Sequence, residues 1–334
     1  MKQLLRHRAL LLAGAVTAAV AVAAASPGML GHRVGTALDG IAAAEPLWLW
    51  AAGAAFVLMH ACSGLAWGVA LRACGTTTGH TDAVARYGVG SGLNAVAPLH
   101  LGSAARVALF GRVVRDPGGC WRVGGAGAAV GAVRAVWLAA LLAVGATGGM
   151  LPAWPLALLA LGIAAAAAAA FGARRVQIET RIAHILDAFR ELGGAPRFLA
   201  GVAVLTAVGL AAKVAAATAA ASALHVDRPL LAALLIVPAV ELAAVMPLTP
   251  GNAGVASAAA AFALGAHGVG ADTALAAGIA FGGVETLAAV AVGLGGALVL
   301  AGPRVQPHLR VGAAVTGCSA LAFAYAATVW LPGL

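Results

Sequence analysis

The chain has 334 residues, of which 62% are hydrophobic and only 9% charged, and its 20 Lys+Arg outnumber 11 Asp+Glu for a net charge of +9. Water-soluble domains carry about a quarter charged residues, so this composition, with a mean hydropathy of +0.98, excludes a soluble globule, a disordered tail and a disulfide-stapled secreted module. The basic excess is not a nucleic-acid footprint, because the arginines are scattered between apolar stretches and form no solvated stripe. The four cysteines, Cys62, Cys74, Cys120 and Cys318, show no CxxC pairing and no metal-ligand spacing, so neither a metal, a cofactor nor a redox role is expected.

A helix needs about 20 mostly apolar residues to cross a hydrocarbon core of about 30 Å. Ala9–Ala25, preceded by Lys2, Arg6 and Arg8, is the first such stretch. Its basic start and small residues before Pro27 also imitate a secretory signal; a retained helix is preferred, since a polytopic chain needs no cleavage. Leu47–Leu71 is the second, with Trp48, Trp50 and Trp67 near its ends as interfacial anchors. Segment 82–112 follows, apolar but broken at Pro98-Leu99-His100-Leu101-Gly102. Val123–Thr147 and Trp154–Phe171 pair through a short Gly- and Pro-containing turn. Segment 173–197 carries Ile178, Ile182, Ile185, Leu186 and Phe189 on one helical face, which predicts an amphipathic helix along the inner membrane surface. Phe198–Ser222 crosses next. Segment 230–267 is again apolar and broken, at Pro247-Leu248-Thr249-Pro250-Gly251, and Thr273–Ala301 and Val311–Trp330 complete the series.

Arg72, Arg112, Arg115 and Arg122 flank the second and third spans, and Arg174, Arg175, Arg181, Arg190 and Arg197 follow the fourth. Placing these and the N-terminus in the cytoplasm is self-consistent, because cytoplasmic loops collect Lys and Arg. Segments 82–112 and 230–267 must then leave and return on the same side, one from each face. Irregular backbone at membrane depth survives only when buried in protein or facing a wet cavity. Paired interrupted segments are also a pointer to a transporter site. The expected fold is therefore all-α: one transmembrane domain over 1–334 with about seven full spans and two re-entrant helical hairpins in an inverted-repeat-like arrangement. Each break opens a half-helix, expected to be capped by Ser103 and by Asn252, whose free N–H groups suit an anion such as phosphate. Two kinked or interfacial helices with no site between them are the plain alternative.

The run Gly92-Leu93-Asn94-Ala95-Val96-Ala97-Pro98, then Gly102 and Arg106, resembles the first signature of the transmembrane, flippase-like domain of lysylphosphatidylglycerol synthases and its stand-alone relatives. Pro247-Leu248-Thr249-Pro250-Gly251-Asn252-Ala253-Gly254-Val255 is similar to its second, a Pro followed by a Gly-rich turn. The chain departs from the family pattern where Ala256-Ser257 follows Val255 and where Ser103-Ala104 replace an acidic residue. These departures bear on a shared substrate more than on a shared fold. The resemblance implies movement of lipids or lipid-linked molecules between leaflets, aminoacylated phosphatidylglycerol being the best-known cargo. It also implies that aminoacyl transfer, which belongs to a separate soluble domain in bifunctional members, is not expected here.

Arg134, Lys213, Glu241 and Glu285 lie well inside apolar segments. Each costs about 2.5–3.5 kcal/mol at a helix centre on insertion scales, so lone charges there point to partners and to a path for substrate or ions. Arg106 and Arg134 are expected to contact an anionic headgroup, with Lys213 a further candidate. Glu241 and Glu285 would balance these cations, receive a cationic headgroup substituent, or carry protons. Together with Asn94, Pro98, Gly102, Ser103, Pro247, Pro250, Gly251, Asn252 and Gly254 they form the candidate substrate site. His60 is a further mid-span polar group, suited either to function or to a helix–helix hydrogen bond. Gly124, Gly125, Gly127 and Gly131, and later Gly293, Gly295 and Gly296, read as helix-packing surfaces.

The expected function is leaflet-to-leaflet translocation of an anionic or aminoacylated lipid in a bacterial cytoplasmic membrane. The expected partners are membrane lipids, with a homodimer and a separate lipid-modifying enzyme left open. A transporter or channel for a small soluble solute uses the same architecture. An enzyme on lipid phosphates is less favoured, because no DxxD or HExxH occurs and the aspartates are far apart.

Overall fold

The structure, a computed structural model, describes residues 40–96, 101–114, 119–147, 180–243, 253–265 and 268–301. The regular structure of these residues is helical: α1 Pro46–Ala73, α2 His80–Val96, α3 Leu101–Gly111, α4 Gly119–Thr147, α5 Thr180–Gly193, α6 Pro196–Ala223, α7 Pro229–Ala243, α8 Ala253–Gly265 and α9 Ala271–Ala301. Among them α1, α4, α6 and α9 are long and apolar enough to cross a membrane, and they coincide with four of the expected spans. The expected spans Ala9–Ala25, Trp154–Phe171 and Val311–Trp330 lie outside the described residues.

The boundaries follow local chemistry. α1 and α6 each begin on a proline at the first helical position, where a missing N–H costs nothing. α1 ends with Gly75 at φ 82°, which lets Gly75 N–H reach Arg72 O (3.0 Å) and Thr76 N–H reach Leu71 O (3.2 Å). This Schellman pairing satisfies carbonyls that the helix end leaves free. α6 ends the same way through His225 at φ 54°, with Val226 N–H on Ala221 O at 3.0 Å.

α1 packs along α6, and α9 lies against α1, α2 and α8. One apolar cluster joins Phe56, Ala216, Ile236, Val237 and Phe281 of α1, α6, α7 and α9. A second joins Leu71, Phe110, Val123 and Val202 of α1, α3, α4 and α6. Side chains such as Val57, Leu58, Val136, Val204, Phe262 and Val299 point outward, as expected of helices whose solvent is lipid. Trp48 and Trp50 also face outward at the start of α1. Trp67, expected to be a third anchor, turns inward and stacks on Phe110 at 5.4 Å; its place near a span end was legible, but the face it occupies was not.

α2 and α3 form an antiparallel pair. Arg86 of α2 is ion-paired to Asp82 at 2.8 Å and donates to the Leu109 carbonyl near the end of α3. At the opposite end Asn94 Oδ1 accepts the Ser103 N–H (3.1 Å) while Asn94 Nδ2 donates to Ser103 Oγ (3.2 Å). Ser103 is therefore not the cap of its half-helix. It lies within the first turn of α3, and Asn94 supplies the capping acceptor from α2. The capping expectation for Asn252, with the breaks at Pro98 and at Pro247, Pro250 and Gly251, falls outside the described residues.

Two close approaches depend on missing side chains. Gly102 faces the Gly90 carbonyl and Asn94, and a Cβ there would sit on top of both. Gly92 and Gly293 bring the backbones of α2 and α9 together, a Cβ on Gly92 coming 2.9 Å from Gly293 Cα. Gly125, Gly127 and Gly296 also serve packing as expected, whereas among the described residues nothing lies within 4 Å of a Cβ at Gly124, Gly131 or Gly295.

The α2–α3 pair opens toward the end of the bundle where α1 ends and α4 and α6 begin. The α7–α8 pair opens toward the other end, where Glu45 N–H bonds Ala223 O at 3.0 Å. At the first end α5 lies on α4 through Ile185 and Ala188 against Gly125, so part of its apolar face meets protein while Phe189 stays outward. Arg122 of α4 pairs with Glu191 of α5. Burial pushes the Cys74 thiol, just beyond α1, up to about 12, and its hydrogen bond to Glu191 adds to the shift.

Gly102→Val is expected to lower folded stability by about 1–3 kcal/mol, the usual cost of overpacking, seen as a lower melting temperature in detergent. Gly124→Ala should leave the melting temperature unchanged or raise it, by helix propensity. Because thiolate is the reactive form, Cys74 should label with maleimide slowly from about pH 7 to about pH 9, while the exposed Cys120 labels readily; fast labelling of Cys74 would contradict its burial.

Candidate functional site

The intramembrane charges come together. Glu241 Oε1, near the end of α7, accepts from Arg134 Nη2 of α4 at 2.6 Å and from Lys213 Nζ of α6 at 2.9 Å. Lys213 Nζ also donates to Glu285 Oε1 of α9 at 3.0 Å. Lys213 is only 4% exposed, and its ammonium stands 5.8 Å from the Phe281 ring centre. Two cations and two carboxylates thus close into one neutral network tying four helices together. Both glutamates are held by cations, and the whole set satisfies charges that separately would cost several kcal/mol in lipid.

Arg106 of α3 stands apart from that network. Its guanidinium lies over Tyr87 at 4.0 Å and Trp67 at 5.6 Å, an attraction of about 0.5–2 kcal/mol each. Its Nη2 makes one long hydrogen bond, 3.3 Å, to Ser91 Oγ. Among the described residues no carboxylate pairs with it, and its buried Nε has no hydrogen-bond partner. Tyr87 and Ser91 of α2, one helical turn apart, present the ring and hydroxyl that hold it. Arg106 and Arg134 line one cavity of about 200 Å³, walled also by Ser63, Trp67, Tyr87 and Thr206. At about 30 Å³ per water molecule, that is room for several waters or one phosphate-sized group. Gly131 also lines this cavity: expected as a packing glycine, it leaves open space that a side chain would fill.

His60 of α1 is 7% exposed. Neither ring nitrogen has a hydrogen-bond partner among the described residues, so the helix–helix hydrogen bond weighed for it is not made there. Its ring centre is 6.4 Å from that of Tyr87. Among the described residues no three His, Cys, Asp or Glu side chains gather as a metal site.

Of the candidate site residues, Arg134, Lys213, Glu241 and Glu285 form the network, Arg106 joins Arg134 at the cavity, and Asn94, Gly102 and Ser103 build the α2–α3 tip. Gly254 lies in the first turn of α8, and Pro98, Pro247, Pro250, Gly251 and Asn252 are outside the described residues. Trp67, Tyr87, Ser91 and Gly131 were missed. Positions 87, 91 and 94 do share a helical face, but that spacing alone does not distinguish a cavity wall from packing.

The lysylphosphatidylglycerol synthase TM region matches residues 9–293. The chain belongs to that family. No curated protein matches it. Asn94, Gly102 and Arg106, all within the matched residues, lie on the α2–α3 pair, whose Arg106 has no carboxylate partner among the described residues. Membership places the chain among multi-pass membrane proteins with a lipid-related role.

Lys213→Met is expected to destabilise the protein by about 3–5 kcal/mol, because it strands Glu285 without its cation. Adding Glu285→Gln should recover part of the loss. Thermal unfolding in lipid nanodiscs checks both, and a neutral Lys213→Met would show that the network carries no stability.

Proposed function

We propose that this protein moves an anionic or aminoacylated phospholipid, or a lipid-linked molecule, between membrane leaflets, the headgroup passing through the polar cavity while the acyl chains stay in lipid. The observation that carries this reading is Arg106. It is a cation facing a small cavity within an apolar bundle, held by aromatic rings and one long hydrogen bond instead of a carboxylate. The neighbouring network is neutral, so the cavity has one positive charge to spare. A phosphate offers a guanidinium shorter, stronger and bidentate hydrogen bonds, and can draw Arg106 from Tyr87 and Ser91.

In this reading the α2–α3 and α7–α8 pairs are re-entrant hairpins entering from opposite faces, accompanied by about seven full spans. The arginine-rich end and the N-terminus are cytoplasmic, in a bacterial cell membrane. The protein acts as a translocator and not as an enzyme, and a separate enzyme would supply any aminoacylated cargo. Alternating exposure follows if the hairpins move against α9, the helix on which α2 and α8 both pack.

Arg106→Gln in vesicles of phosphatidylcholine containing fluorescent phosphatidylglycerol should slow leaflet exchange about tenfold or more, the equivalent of roughly 1.4 kcal/mol or more of barrier. Arg106→Lys should restore part of the rate. Unchanged exchange at equal protein density would overturn the assignment.

A further inference from the structure

A second, larger cavity of about 660 Å³ lies at the open end of the α2–α3 pair. The turn after α1 lines it with Thr76, Thr77 and Thr78, the start of α2 with Asp82 and Arg86, and the end of α3 with Arg112. Asp82 is taken up by Arg86 at 2.8 Å, and Arg86 is further fixed by the Leu109 carbonyl. Arg112, by contrast, has no ion-pair partner among the described residues. Among the described residues, the side chains lining this cavity therefore add up to one spare positive charge beside a row of hydroxyls, on an arginine that is exposed. Thr78 is 4% exposed and shares a 3.3 Å hydroxyl contact with Thr76, so the threonine wall belongs to the fold.

The position matters as much as the lining. Arg112 follows Arg106 by six residues, about 9 Å along a helix rising 1.5 Å per residue. Arg86 and Tyr87 are adjacent on α2, the first facing this cavity and the second facing the deep one. Two cavities, each with one unneutralised arginine, thus sit at successive depths along the same hairpin.

We infer that the outer cavity is a separate binding site for a phosphate ester, in which Arg112 and the Thr76–Thr78 hydroxyls hold the phosphate before it reaches Arg106. Its role as a loading station rests on the translocation reading; phosphate binding there does not. Arg112 supplies the charge and a planar fork of donors. The hydroxyls supply further donors, and the Arg86–Asp82 pair keeps the wall in place.

The test uses the full chain in nanodiscs, with Thr77→Cys in a Cys120→Ser background, and follows maleimide modification at position 77 by peptide mass spectrometry. Glycerol 3-phosphate added to phosphatidylcholine nanodiscs should protect Cys at 77 in a saturable way. Arg112→Gln should raise the concentration needed about tenfold, as expected for loss of one charge-assisted hydrogen bond. Nanodiscs in which phosphatidylglycerol is mixed with phosphatidylcholine separate the sources: protection without added ester assigns the site to a lipid headgroup, and protection only with the free ester assigns it to a soluble phosphate. Absence of protection in both arms, or protection indifferent to Arg112→Gln, overturns the proposal. Arg106→Gln should leave protection at 77 intact while slowing leaflet exchange, so failure of the translocation reading is seen independently of this one.

Discussion

The arrangement turns on the ammonium of Lys213. Buried in α6, it can remain charged only beside acceptors, and it has two, Glu241 at 2.9 Å and Glu285 at 3.0 Å. Because Glu241 also accepts from Arg134, one set of charges fixes the relative positions of α4, α6, α7 and α9. Between helices as apolar as their solvent, burial of apolar surface selects no particular register. Unpaired charges do, since any register that separates them leaves a charge in hydrocarbon. The end of α7 is thereby tied to three other helices.

The first hairpin is held by different means. Gly92 and Gly293 let α2 and α9 approach backbone to backbone, Gly90 and Gly102 do the same for α2 and α3, and Asn94 staples the tip to Ser103. The two broken segments look alike in sequence, yet α7 is tied to its neighbours by Glu241, whereas α2 and α3 are held by small residues, the Asn94–Ser103 hydrogen bonds and, at the open end, Arg86 on the Leu109 carbonyl. Among the described residues, Arg106 in the α2–α3 pair is left without a carboxylate. Had α2 or α9 carried an acid opposite Arg106, the cavity would hold a closed pair instead of a cation able to exchange partners.

Four of the expected spans and their approximate limits were legible because a run of some 20 apolar residues has few other readings. Leu47–Leu71 corresponds to α1 and Thr273–Ala301 to α9, within a few residues. The intramembrane charges were legible through their cost. Their pairing was not, because Lys213 and Glu285 are 72 residues apart and Arg134 and Glu241 107, and sequence order says nothing of which acid meets which base. Rotation about helix axes was the other blind spot. With apolar residues spread almost evenly around α1, α4 and α9, no hydrophobic face marks the inward side. Trp67 was consequently read as an interfacial anchor, Gly131 as packing and Ser103 as a cap that Asn94 provides.

His60 and Arg106 then pose one question in energetic form. A buried polar group without a partner costs about 1–3 kcal/mol, and the described residues leave unpartnered both ring nitrogens of His60 and the Nε of Arg106. Both side chains lie near the Tyr87 ring, His60 with its ring centre 6.4 Å away and the Arg106 guanidinium 4.0 Å away. A bundle optimised for stability alone would fill such a place with leucine, since nothing in the surrounding helices requires a polar residue there. The same few helical turns do satisfy four full charges nearby, so the unsatisfied groups do not reflect an inability to pair. For Arg106, which lines the deep cavity, the translocation reading gives that cost a use: a donor held in place by aromatic packing, with a hydrogen bond withheld until a polar visitor arrives.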